Sequence, residues 1–225
     1  MITLHHLENS RSQRILWLLE EMGLEYQVKS YQRDPGSSLA PKSLEAIHPL
    51  GKSPVITDGD ITIAESGAII EYLLETYDQG QLLPRAGSLE KRRYTYWLHY
   101  AEGSFMPLMV FSLIMSRIET APMPFFVKPI ARGIVGKVRS SYLNPNISRH
   151  LLFMEAALTE HEWFCGPRIT GADIQMSFPV LAARSRTGMA VEFPRLNAFL
   201  DAIETRPGYQ AALKRGGPFK LPGLN

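Results

Sequence analysis

The chain has 225 residues, 45% hydrophobic and 20% charged, which is an ordinary globular composition with room for one large domain or two small ones and no need of a disulfide or metal staple. Its 24 basic and 22 acidic residues leave a net charge of +2, which gives no reason to expect a nucleic-acid partner. Cys165 is the only cysteine, so an intramolecular disulfide, a dithiol and a multi-cysteine zinc site are excluded, and the six histidines show no ligand spacing that would hold a metal.

Ile2-Thr3-Leu4 alternates and reads as a short strand, closed by the polar break Glu8-Asn9-Ser10-Arg11-Ser12. Ile15, Leu18, Leu19 and Met22 then recur at helical spacing, and Gly23 ends the pattern as a C-cap does. Gln27 to Tyr31 is a second strand, and residues 34–43 are turn-rich and read as loop. Pro54 to Asp58, Gly59-Asp60 and Ile61-Thr62-Ile63 form a hairpin signal; Ile69, Ile70, Leu73, Leu74 and Tyr77 make one face of the next helix. A crossover helix implies parallel pairing of the first two strands, whereas the tight hairpin is antiparallel. The β-α-β, loop, β-β-α order over residues 1–79 is thioredoxin-like.

A linker is expected over residues 80–87, followed by an all-α domain over 88–225 with its clearest helices at 151–164, 174–184 and 196–205. Thr170-Gly171-Ala172-Asp173 fits a capping box, with Ile169 and Ile174 as its hydrophobic staple, a folding device without a chemical role. Residues 125–138 mix apolar residues with three bases, and Pro129, Gly133 and Gly136 predict a broken helical excursion near a cleft rim. Cys165, before Gly166-Pro167, reads as a small buried residue. Met1 to His6 lacks the charged start and apolar core of a signal peptide, and no run approaches the ~18 apolar residues of a membrane helix. With one cysteine, these features predict a cytoplasmic protein with no membrane partner.

Three local motifs in register on this two-part plan resemble those of the cytosolic glutathione transferases. Asn9-Ser10-Arg11-Ser12-Gln13-Arg14 falls where serine-type members carry the residue that activates the thiol. Leu50-Gly51-Lys52-Ser53-Pro54-Val55 is similar to the family's cis-proline loop. Glu65-Ser66-Gly67-Ala68-Ile69 resembles the pair that holds the γ-glutamyl end. Thr170-x-x-Asp173 also matches the capping box of the family's helical domain.

The resemblance implies a soluble transferase that binds glutathione, stabilises its thiolate and adds it to an apolar electrophile, with homodimers as the family habit. Ser66 at a helix start would hold the γ-glutamyl carboxylate with the first free N–H groups, and Glu65 the ammonium. A cis bond before Pro54 would free the Ser53 backbone to pair with the cysteinyl segment, and Lys52 could attract the glycyl carboxylate. A free cysteine thiol has a pKa of ~8.5, and lowering it by two units requires ~2.7 kcal/mol. One hydrogen bond to the anion, ~1.5–3 kcal/mol, with a helix N-terminus is sufficient. No general base is needed, which suits a loop with Asn, Ser and Arg but no His. Ser10 ranks first as donor, Asn9 next and Ser12 third, since Ser12 more naturally caps the helix; Arg14 reads as a structural ion-pair partner. The electrophile pocket is expected around Tyr100, Phe105, Met106 and Met109, where methionine suits a permissive surface. Peroxide reduction, disulfide exchange and a non-catalytic binding role on the same fold stay open.

Overall fold

Strand β1 (Ile2–Leu7) lies inside a four-stranded sheet of order β2-β1-β3-β4. The computed structural model describes residues 1–37, 39–187, 192–217 and 219. β1 pairs parallel with β2 (Tyr26–Tyr31) and antiparallel with β3 (Val55–Asp58), which pairs antiparallel with β4 (Ile61–Ala64). The parallel pair is bridged by helix α1 (Ser12–Glu21), and α2 (Ser66–Tyr77) follows the hairpin. The fold is thioredoxin-like, and the turn-rich segment contributes one short 3-10 turn, Lys42–Leu44.

The second domain is helical: α3 (Leu89–Tyr100), α4 (Met106–Thr120), α5 (Lys128–Val138), α6 (Asn144–Ala157), α7 (Gly171–Thr187), α8 (Pro194–Glu204) and α9 (Pro207–Gly216). Five of these helices carry proline in their first turn, where the missing N–H has no intrahelical partner to lose. A five-residue π-helical stretch, Ala101–Phe105, joins α3 to α4 without a break. The run Leu89–Thr120 is long and apolar enough by length and composition to cross a membrane, contrary to the expectation from sequence. Part of its apolar surface is core, with Tyr94, Trp97, Phe105 and Met109 buried, while Val110, Ile114 and Ile118 on the other side of α4 are exposed.

Helix α1 explains how the domains join. Every residue from Ser12 to Leu19 is buried, because α1 lies between the sheet and α2, α7 and α9. An amphipathic helix exposes one polar face to water; this one has the helical domain where water would be, so one apolar cluster runs through both domains.

Two local expectations are corrected. Residues 128–138 form a regular helix. Pro129 fits its first turn, Gly133 and Gly136 face open space, and Val135 is buried. The box before α7 is also built differently. Asp173 Oδ2 accepts from Thr170 N–H, but the Thr170 hydroxyl donates to that carboxylate at 2.8 Å instead of capping Asp173 N–H, and Phe164 N–H donates to Oδ1. A fully buried carboxylate draws every donor in reach, and burial still pushes the Asp173 carboxyl up to about 6.

Candidate active site

The end of β1, the loop before β3 and the start of α2 come together at one edge of the sheet. The register forces this: His5 pairs with Val55, and Val55 with Ala64, so Leu7, Ser53 and Ser66 all lie just beyond the residues paired across β1, β3 and β4. The Ser53-Pro54 peptide is cis. The Ser53 hydroxyl donates to His5 O at 2.9 Å and accepts Leu7 N–H at 3.2 Å, continuing the β1–β3 seam through a side chain. Lys52 beside it is exposed.

The β1–α1 loop is held from below. The Arg33 guanidinium donates to Glu8 O and Asn9 O, both at 3.3 Å, and its backbone N–H donates to Glu8 Oε1 at 2.8 Å. Asn9 has φ +48°, a left-handed conformation that asparagine tolerates better than most residues. Helix α1 starts at Ser12 itself, and Arg11 at the cap position makes no side-chain cap, so Ser12 is not the cap the sequence suggests. The Ser12 hydroxyl turns back to β1, 2.8 Å from His6 Nδ1 and 3.2 Å from Leu7 O. Ser10 Oγ lies 2.8 Å from Ser12 Oγ and accepts Ser12 N–H at 3.2 Å. His6 Nε2 is 3.1 Å from Gly216 O at the end of α9. Burial pushes the His6 imidazole below its usual range, outweighing the opposite pull of Gly216 O and Glu8.

Ser66 opens α2 below Glu65, which has φ +71° and is exposed. The Ser66 hydroxyl is buried and accepts from Arg14 Nη2 at 2.6 Å, while Arg14 Nη1 donates to Gln175 O at 2.6 Å. Arg14 also pairs with Glu102, and Arg11 Nε reaches both Glu102 oxygens at 2.9 and 3.0 Å. Both guanidinium groups stack on Phe178, 5.4 and 5.5 Å from the ring centre. Burial of Arg14 lowers its pKa to about 10 against the pull of Glu102. Burial alone would raise the Glu102 carboxyl, but Arg14 and Arg11 outweigh it and hold the group below its usual range. Glu102 sits in the π-helical stretch, whose wider turn aims it at α1; such insertions are frequent at functional sites.

Beside Arg11 and Glu102 a cleft of about 380 Å³ opens, with Met106, Val110, Phe111 and Ile114 on its helical wall. Of the four expected pocket residues, Met106 lines it. Tyr100, Phe105 and Met109 belong to the core instead: Tyr100 bonds to His150, and Met109 O accepts from Arg186 at 2.9 Å. They lie on the inner face of a helix whose outer face meets the cleft. A larger cavity of about 590 Å³ lies within the helical domain between α4, α6 and α7, and no residue of the β1–α1 loop lines it. His6, Glu102 and Gln175 escaped sequence reasoning, because only tertiary packing brings them to the loop. Arg14, read as an ion-pair partner four residues after Ser10, was the signal that pointed toward them. Among the described residues no cluster of His, Cys, Asp or Glu is placed to hold a metal.

The architecture is therefore that of a two-domain class, a thioredoxin-like sheet with a cis-proline edge facing an all-α domain across a cleft. The glutathione S-transferase N-terminal domain model matches residues 1–75, and the glutathione S-transferase C-terminal domain model matches residues 114–207. Glutathione S-transferase 3 of Schizosaccharomyces pombe is 34% identical over 96% of this chain and 88% of its own. Glutathione S-transferase 1 of Saccharomyces cerevisiae is 32% identical over 96% and 95%. A crystal structure of a glutathione S-transferase from Actinobacillus pleuropneumoniae superposes with a TM-score of 0.81 at 34% identity, covering 96% of this chain and 93% of that one. The chain belongs to the glutathione S-transferase family.

Proposed function

We propose that this chain conjugates glutathione to apolar electrophiles, with residues 1–79 binding glutathione, 80–87 joining the domains and 88–225 supplying the electrophile's wall. One observation carries the reading: Ser66 Oγ is occupied as an acceptor by Arg14, which leaves its own hydrogen to donate outward at the start of α2. A carboxylate there gains that hydrogen and the free N–H groups of the first turn. Exposed Glu65 suits the ammonium, Ser53 beside cis-Pro54 the cysteinyl backbone, and exposed Lys52 the glycyl carboxylate.

The thiol falls to Ser10, with Asn9 as the second donor; Ser10 sits at the helix start, where the dipole adds to a hydrogen bond. The electrophile is held in the cleft, where Met106, Val110 and Ile114 offer an apolar wall. Apolar residues exposed on α4 and α5 outside the cleft, Ile118, Ile130 and Ile134, support association into a two-fold homodimer. We assign a cytoplasmic, detoxifying role with glutathione as co-substrate and no metal. Titration with glutathione, followed by an assay with a chlorinated nitroaromatic, tests the reading. Sub-millimolar binding with conjugation is expected; weaker binding with no conjugation refutes it. Ser10→Ala and Asn9→Ala in the same assay rank the two donors, and full activity in both removes the activation model.

A further inference from the structure

The hydrogen bonds linking His6 to the site have a direction that can be read from one end. Gly216 O is a carbonyl and only accepts, so His6 Nε2 carries a hydrogen. In a neutral ring Nδ1 is then an acceptor, and Ser12 Oγ at 2.8 Å supplies it. Turning that hydrogen to Leu7 O at 3.2 Å would take the nearer donor from Nδ1. Ser12 has one hydrogen, so its 2.8 Å contact with Ser10 requires Ser10 to donate. With His6 neutral, therefore, the Ser10 hydrogen points into the protein and away from a thiol at the sheet edge.

We propose that ionisation of the bound thiol reverses this chain, so that Ser10, Ser12 and His6 act as a proton wire with His6 as its terminal positioning residue. The proposal rests on the glutathione reading above. The S–H bond breaks and its proton goes to Ser10 Oγ; the Ser10 hydrogen passes to Ser12 Oγ, and the Ser12 hydrogen to His6 Nδ1. One S–H bond is exchanged for one N–H bond, with no change of oxidation state. Afterwards the imidazolium donates to Gly216 O and Ser12, Ser12 donates to Ser10, and Ser10 donates to the sulfur anion. The two hydroxyls both donate and accept, so each can serve in either direction.

The surroundings suit this role. Ser10, Ser12 and His6 are 7%, 0% and 3% exposed, so bulk water does not break into the chain. On β2 His6 faces Ser30 in register, Gln13 lies near it on α1, and Arg215 of α9 is turned to Glu20 and Tyr26. Glu8 is the charged side chain that bears on it, and it favours the imidazolium. Burial keeps the ring neutral at rest; an anion at the far end offsets that penalty, and the coupling is reciprocal. Glycine at 216 lets the last α9 carbonyl approach the ring closely. A Cβ at Gly216 would stand 2.6 Å from Leu16 Cδ1, 2.8 Å from Gln13 Oε1 and 3.3 Å from His6 Cε1.

The test uses the whole chain with nitrogen-labelled histidine, followed by NMR near neutral pH with glutathione and with S-methylglutathione. Glutathione is expected to convert the His6 ring to imidazolium, and the S-methyl compound to leave it neutral. In calorimetry with two buffers of different ionisation enthalpy, the wild type releases less than one proton per thiolate formed, thiolate being read from its ultraviolet absorbance. Ser12→Ala and His6→Asn release a full proton, and Ser12→Thr restores retention. Glutathione binding with His6 neutral throughout, or a full proton released by the wild type, overturns the wire alone. No binding of either compound overturns the glutathione reading and the wire together. The wild-type measurements decide the matter even where a variant fails to fold.

Discussion

Replacing Arg14 by methionine removes a side chain that ties α1 to three other elements around the domain boundary. Its guanidinium, 1% exposed, spans Ser66 on α2, Gln175 O on α7 and Glu102 in the π-helical stretch. Methionine keeps much of the volume but leaves the Gln175 carbonyl without its donor and Glu102 with Arg11 alone. Breaking a buried ion pair from one side costs about 3–5 kcal/mol. Glu102 is 29% exposed and recovers some hydration, which favours the lower end; the orphaned carbonyl adds about 1–3 kcal/mol. A total of about 4 kcal/mol lowers the melting temperature of a chain this size by roughly 8–16 °C. Scanning calorimetry of Arg14→Met, Glu102→Gln and the double variant measures it, and the cycle isolates the pair. A loss below about 1 kcal/mol with additive single effects would refute the reasoning, because α1 would then pack as well around an apolar residue.

Ser66→Ala removes both the acceptor of Arg14 and the hydroxyl assigned to the γ-glutamyl carboxylate, so glutathione should bind about tenfold more weakly in calorimetry; unchanged affinity removes Ser66 from the site. Gly171→Ala puts a Cβ 2.5 Å from Leu74 Cδ1 and 2.8 Å from Ile70 Cγ2, both in a buried interface between α2 and α7. It should cost about 1–3 kcal/mol in urea unfolding, and a variant as stable as the wild type would show that the interface yields freely. Asp173 carries a folded pKa raised to about 6 from 3.8, so the folded state holds its proton more tightly. Its contribution to stability is therefore greatest in acid, declines as pH rises between about 4 and 6, and is flat above. A carboxyl-carbon NMR titration should place its midpoint near 6; a midpoint below about 4 would mean that the three donors outweigh burial.

Most of the secondary structure was legible in the sequence because it follows from short-range patterning. Strand alternation at Ile2–Leu4, the helical spacing of Ile15 to Met22 and the Gly59-Asp60 turn each depend on neighbours a few residues apart. The cis-proline loop and the Glu65-Ser66 helix start carry local motifs, so their place beside the first strand could be anticipated. Pattern misled where exposure decides. Gly133 and Gly136 are tolerated in α5 because they face open space, and Met109 and Phe105 look like pocket residues until their side of the helix is known.

What the sequence by itself determined is the two-domain plan and the order of the candidate-site loops along the chain. Tertiary structure alone decided which charges and hydroxyls meet. Arg14 reaches Gln175 across 161 residues, and His6 reaches Gly216 across 210. Contacts of that span leave no periodic trace, since they arise from the docking of α1 between the sheet and the helical domain. That docking surrounds a helix start with buried partners, and the partners set the direction of its hydrogen bonds.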